Sequence, residues 1–193
     1  KQILSQSTIS VDRFVASDLE KAIRIAVDLA MLIGSGVGSE PLGIFNTPNI
    51  QNVVSGGTVD FKKIVALETA IAEANADMGT MHYLTTAGMR GSLKTTKIDA
   101  GSGQFVWNNG ELNGYKAHAT NQMPKNLGGS NHGVLFGDFS QLIAGNWAGM
   151  DLVVNPFTYA KQAMVEVVAN TWWDFAVRYP EAFAVITDAQ VTA

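Results

Sequence analysis

An α+β fold is predicted by this 193-residue sequence, and three stretches carry the prediction. Residues 11–33 hold a long amphipathic helical pattern that stops against the glycine-rich turn LIGSGVGSEPLGIFNTP. Residues 60–77 repeat the helical period. From residue 81 onward, short runs of β-formers alternate with turn residues.

The first helix organises the rest. At ~100° per residue, Arg13, Ser17, Glu20, Lys21, Arg24 and Asp28 fall on one narrow arc, and Val15, Leu19, Ala22, Ile23, Ala26, Ala30 and Ile33 fill the opposite side. So wide an apolar side predicts a helix gripped from several directions, with a charged stripe left for water or a neighbouring subunit. Glu20 precedes Arg24 by one turn, the favourable order for an ion pair, and Asp28 extends the ladder. A fully helical 11–33 would be about 35 Å long at ~1.5 Å per residue. Gly34 is placed to close the helix in the left-handed conformation, and Gly36, Gly38 and Pro41 prevent its continuation.

The remaining chain follows in order. Residues 1–9 read as a strand end or arm leading into the helix. Residues 49–60, with Ser55, Gly56, Gly57 and Thr58, read as a flexible connector and a domain-boundary region. Phe61, Ile64, Val65, Leu67, Ile71 and Ala74 mark the second helix, which Gly79 is expected to end. MHYLTT, residues 81–86, is a short buried strand whose Thr86 caps a short helix, AGMRGSLKT. After a turn at 99–103, QFVW and GYKAHATNQMP read as strands with hairpin punctuation at Asn109 and Gly110. KNLGGSNHG is a loop. VLFGDFSQLIAG is a strand turning into a short helix or bend at Gly137 and Asp138. MDLVVNPF, the run from Ala163 to Pro180 and EAFAVITDA are strands, the middle one long or briefly helical.

Composition narrows the function classes. With 47% hydrophobic and 16% charged residues, the chain can build one large or two small cores. A net charge of -4 and a pI near 5.3 argue against binding nucleic acid by phosphate neutralisation, which needs clustered Lys and Arg. There is no cysteine, so disulfides and thiolate metal sites are excluded. No uninterrupted apolar run reaches ~18 residues, so no membrane-spanning helix is expected. The sequence opens on Lys1 in mid-pattern, as a core fragment would, and no signal peptide is recognised.

The long helix closing on a G-S-G-x-G turn and then P-x-G-I-x-N resembles the segment after the extended loop in tailed-bacteriophage major capsid proteins, the Hong Kong 97 phage-type fold that encapsulin shells share. Later pieces follow the family's order: the helix Phe61 to Ala76, Tyr83 to Lys94, Leu112 to Pro124, the G-D-F-S element Gly137 to Ser140, and the tail to Ile186. The resemblance implies a peripheral domain of residues 1–44 and 152–176, including the spine helix 11–33. It also implies an axial domain of residues 45–151 and 177–193. An N-terminal arm and extended loop are expected upstream of Lys1. The implied function is that of a structural subunit, self-assembling through hexamers and pentamers into an icosahedral shell that packages double-stranded DNA. That DNA would be contacted weakly and non-specifically, portal and scaffold proteins are compatible partners, and the location would be the virion capsid, assembled in the bacterial host cytoplasm. An encapsulin-type nanocompartment is the alternative, and a small enzyme the third reading.

Catalytic readings find little support. GSGVGSEPLG follows a helix, whereas phosphate-binding loops follow a strand and open a helix. His82, His118 and His132 lack ligand spacing and read as strand histidines with satisfied hydrogen bonds. Asp138 after Gly137 is ordinary turn chemistry, with no G-x-S-x-G elbow to supply a nucleophile. Glu166 and Asp174 form no demonstrable acid-base pair. Trp172, Trp173, Phe175 and Tyr179 lie among Asp174 and Glu181 with only Arg178, so core packing or a subunit contact is favoured over a base-stacking platform. The expectation is a protein with no catalytic function, cofactor or metal. Its candidate subunit contacts are Arg13, Glu20, Lys21, Arg24, Asp28, Trp172 and Trp173.

Overall fold

The computed structural model describes residues 11–191 apart from 78, 100, 102, 156 and 163, and omits the side chains of 11–13. The expectation of an arm at 1–9 lies outside the described residues, as do parts of the 99–103 turn. Two compact units are present. One comprises residues 29–143 and 175–193, the other 1–28 and 144–174. The implied boundaries at 44/45 and 151/152 differ from this division. Leu32 is buried with the sheet and Ile33 packs against it, which places 29–44 in the larger unit.

The larger unit is built on an eight-stranded mixed sheet of order β1-β10-β7-β3-β6-β5-β4. Its strands are β1 (Gln51–Asn52), β3 (Met81–Thr85), β4 (Trp107–Asn108), β5 (Glu111–Leu112), β6 (Tyr115–Ala119), β7 (His132–Asp138) and β10 (Phe183–Gln190), with β2 (Gly57–Thr58) pairing β10 off this path. β7 runs antiparallel to both β3 and β10, and β3 runs parallel to β6. β7 is buried from Gly133 to Asp138 on both faces, as a central strand should be. The helix α2 (Phe61–Glu73) buries Ile64, Leu67 and Ile71, spaced one turn apart and then one more, and packs on β10 and β7. Its N-terminus is capped by Asp60, whose carboxylate accepts from Lys63 N at 3.0 Å. Thr86 caps α3 (Ala87–Thr95) as expected, accepting from Met89 N at 3.1 Å.

Several expectations are corrected. α2 ends at Glu73, six residues before Gly79, because Asn75 takes the left-handed turn conformation at φ 54. The supposed connector 49–60 is not free: β1 and β2 add to the edge of β10, and the Asp188 carboxylate accepts from Ser55 N at 2.8 Å and Gly56 N at 2.7 Å. Those backbone hydrogen bonds, with Lys63 nearby, outweigh burial and hold the Asp188 carboxyl below its ordinary value. For the run after Ala163, the long-strand alternative is the one observed. Glu166–Val177 is one strand, β9, pairing with β8 (Leu142–Asn155) in a two-stranded sheet.

The first helix, α1, spans Val11–Ile33 as expected, but its ending differs from the expectation. Gly34 is not left-handed; it keeps the helical hydrogen bond, Gly34 N to Ala30 O at 2.8 Å. Glycine is required there by proximity. A Cβ on Gly34 would lie 2.2 Å from Pro41 O, and one on Gly43 would lie 2.4 Å from Gly34 N. The chain folds straight back, with Ser35 bridged antiparallel to Leu42 and Gly43 N donating to Gly34 O at 2.9 Å. Asn46 Nδ2 then donates to both Ile33 O and Gly34 O at 2.9 Å, satisfying carbonyls that a helix end leaves open. The P-x-G-I-x-N string is therefore a clasp: a glycine for close approach and an asparagine for the cap.

Candidate subunit-contact surfaces

On α1 the charged arc is exposed and paired along the helix. Lys21 Nζ meets Asp18 Oδ1 at 3.2 Å, and Arg24 Nη2 meets Glu20 Oε1 at 2.6 Å. Arg24 turns toward Glu20 rather than Asp28, which is itself exposed. Exposed pairs of this kind contribute about 0–1 kcal/mol each. Arg13 lies in α1, with its side chain outside the described residues. The opposite side corrects the expectation of a helix gripped on several sides. There Val15, Ala22 and Ala26 are exposed while Leu19, Ile23, Ala30 and Ile33 are half-buried; Phe14, Ile25 and Leu29 beside them are exposed, and Leu32 near the C-terminus is the buried apolar residue of α1 among those described. Among the described residues, that stripe is covered only in part.

The β8–β9 ribbon is the second surface. Side chains alternate across a strand, so Ile143, Trp147 and Val153 share one face of β8 while Met150, Leu152 and Val154 share the other, and all six are exposed. Trp147 is 72% exposed and Trp172 52%. Trp172 and Trp173 point to opposite faces of β9, so they do not form a single platform. Trp173 Nε1 donates to Thr171 Oγ1 at 2.9 Å. Phe175 is buried and Tyr179 exposed, so the aromatic group divides between core and surface. On β9 one face is partly covered, with Val167, Ala169 and Thr171 half-buried, while Val168, Asn170 and Trp172 are exposed. Sequence reasoning missed Trp147, Met150 and Phe157. The signal was present in LIAGNWAGMDLVV, where apolar residues occupy both parities with no second sheet predicted to cover them.

The polar residues weighed for chemistry are structural. Asp138, 1% exposed, accepts from Ser140 N at 3.0 Å and Ser140 Oγ at 2.8 Å, holding the turn after β7. His132 Nδ1 lies 2.7 Å from Thr86 Oγ1, the same hydroxyl that caps α3. Burial, with Lys125 adding, lowers the His132 pKa below its ordinary value. His82 departs from the expectation of a satisfied strand histidine, since its buried Nδ1 has no hydrogen-bond partner among the described residues. Its ring centroid is 5.6 Å from that of His118 on the adjacent strand. Tyr83 donates to Glu68 Oε1 at 2.6 Å, and Asn113 Nδ2 donates to Glu68 Oε2 at 2.8 Å, tying α2 to β3 and to the β5–β6 turn. Burial raises the Glu68 pKa against these hydrogen bonds, with Asp77 adding to the rise. Among the described residues no three His, Asp or Glu gather as a metal ion needs, and no helix is long and apolar enough to cross a membrane.

A long helix, an eight-stranded mixed sheet and a two-stranded ribbon make up an α+β fold. Solved structures share it. The capsid of an empty GTA particle computed with C5 symmetry superposes at a TM-score of 0.76 with 21% identity, covering 98% of this chain and 70% of that one. The holo-SrpI encapsulin complex from Synechococcus elongatus gives 0.61 with 18% identity, covering 100% and 71%. In sequence, the major capsid protein of Halomonas phage phiHAP-1 is 30% identical over 187 residues, which is 96% of this chain and 30% of that protein. The phage capsid family model matches residues 1–188. The chain belongs to the phage capsid family.

Proposed function

We propose that this chain forms the folded tile of an icosahedral phage or prophage capsid, assembling with copies of itself into hexamers and pentamers around double-stranded DNA. The observation that carries the reading is the apolar surface of α1 and the β8–β9 ribbon. Exposed apolar patches on this scale mark contacts between molecules, and many weak contacts make a durable shell through multivalency. Family membership and the C5-symmetric GTA capsid support the same reading. In it, the ribbon and most of α1 belong to a peripheral domain and the eight-stranded sheet to an axial domain around local five-fold and six-fold centres. The Glu20–Arg24 arc, Lys21, Asp28, Trp172 and Trp173 are candidate contacts between copies. The acidic balance fits DNA that is enclosed rather than gripped. Portal and scaffold proteins are compatible partners, assembly would occur in the bacterial host cytoplasm, and the role is structural rather than enzymatic.

Negative-stain electron microscopy and sedimentation velocity on the full gene product test this. Closed shells are expected. Monomers across salt and protein concentration would overturn it. Charge reversal at Arg24, measured the same way, tests the helix arc: undiminished shells would remove it from the contact set. Shells that co-purify with an enclosed enzyme instead of DNA would select the encapsulin reading.

A further inference from the structure

Two Asn-Gly pairs lie four residues apart. Asn109-Gly110 closes the β4–β5 hairpin and Asn113-Gly114 closes β5–β6. Both asparagines sit at positive φ, 48 and 47, and both are exposed. Alike in sequence, they are held differently. The Asn113 amide is fixed by the Glu68 carboxylate, and its turn feeds β6, which is anchored along β3. The Asn109 side chain makes no hydrogen bond among the described residues. It closes a hairpin whose outer strand, β4, is two residues long and ends the sheet.

We propose that Asn109 is a site of spontaneous deamidation, with water as the only co-reactant, and that Glu68 guards Asn113 against the same chemistry. The Gly110 backbone nitrogen attacks Cγ of Asn109. The N–Cγ bond forms, the Cγ–Nδ2 bond breaks, and ammonia leaves with the proton that the Gly110 nitrogen gives up. Water then adds to either carbonyl carbon of the resulting succinimide and opens it to aspartate or isoaspartate. Glycine at 110 favours the attack because no Cβ crowds the nitrogen. The left-handed turn must open first, and local opening is easiest in a short hairpin at a sheet edge. At Asn113 the carboxylate holds Nδ2 in place, so the amide neither rotates toward the Gly114 nitrogen nor departs readily. The product carries a new negative charge beside Glu111, which pairs with Lys116 in the sheet. None of this depends on the shell reading.

Peptide mapping by mass spectrometry, after incubation in isotope-labelled water at mildly alkaline pH, follows both residues in one molecule. Label is expected to enter Asn109 roughly tenfold or more faster than Asn113, the factor a charge-assisted hydrogen bond supplies. In urea the two rates should converge. Equal rates in the folded protein, or a faster Asn113, would overturn the proposal, as would a gap that persists in urea and so belongs to local sequence alone. Glu68→Ala should bring Asn113 toward the Asn109 rate, and an unchanged Asn113 there would remove Glu68 as its guard.

Discussion

The larger unit buries its apolar residues and the smaller one displays them. Every fully buried hydrophobic residue among those described lies within 29–143 or 175–193. In the smaller unit Phe14, Trp147, Phe157 and Trp172 are all exposed. At ~25 cal/mol per Å2 of apolar surface, burial stabilises the larger unit within one chain, whereas on the proposed shell reading the smaller one would gain much of its stabilisation against neighbouring copies. One sequence thus carries a part with a buried core and a part whose apolar side chains are largely exposed.

The sharpest way to break this contrast is a core truncation. Phe136, on β7, is 1% exposed and stacks on Tyr83 with ring centroids 4.2 Å apart. Phe136→Ala should lower the unfolding free energy of the isolated chain by about 3–5 kcal/mol in urea titration. A loss below ~1 kcal/mol would show that the sheet is not the stabilising centre.

A matched pair of glycines sharpens it next. Gly43→Ala puts a methyl 2.4 Å from backbone nitrogen, where nothing flexible can yield, while Gly149 in the ribbon has nothing within 4 Å of its position and no positive φ. The first should cost about 1–3 kcal/mol or more. The second should stay within about 0.5 kcal/mol. Equal effects in thermal or urea unfolding would remove the clasp as a structural element.

Much of the larger unit was legible because its signals are local. The Thr86 cap, the Asn109-Gly110 hairpin and the period of Ile64, Leu67 and Ile71 each depend on neighbours in sequence. What escaped was set by residues far apart or by close approach. Asn46 reaches back to Ile33, and Asp188 secures the backbone at 55–56 from across more than half the chain. Gly34 was read for its backbone freedom, although its φ is ordinary and its need for glycine comes from Pro41 O. The second turn, Asn113-Gly114, carried the same signal as the first and was passed over. The charged arc was legible, but helical period reports which side is apolar and not whether the same chain covers it.

A smaller effect concerns pH. His132, held neutral by burial and Lys125 and placed on the Thr86 hydroxyl, has a folded pKa below its ordinary 6.5. The unfolded chain then binds its proton more readily, so the stability His132 contributes is fully present above pH 6.5 and is lost as pH falls through the folded value. The urea midpoint should drift down modestly from pH 7 toward 5, a range set by that shift and by ordinary histidine titration. His132→Gln should flatten this drift while leaving the ribbon unaffected. A His132 ring titrating above 6.5 by NMR would reverse the sign.

The least stability effect is expected at Trp172, and it is the most informative about association. Its side chain is half exposed on β9, one of the two strands of the ribbon. Trp172→Ala in the isolated chain should therefore change unfolding by no more than about 0.5 kcal/mol. In the full gene product the same substitution should reduce shell yield, because a large aromatic ring at a contact is where truncation costs most. The two measurements separate what either alone would confuse. If Trp172→Ala destabilises the isolated chain as strongly as a core truncation, the ribbon is a packed part of the tile and the contrast between the units collapses. If neither measurement moves, the ring is an idle surface residue and the contact lies elsewhere on the ribbon, with Trp147 the next position to test. A loss confined to assembly would assign this apolar surface to the neighbouring copy.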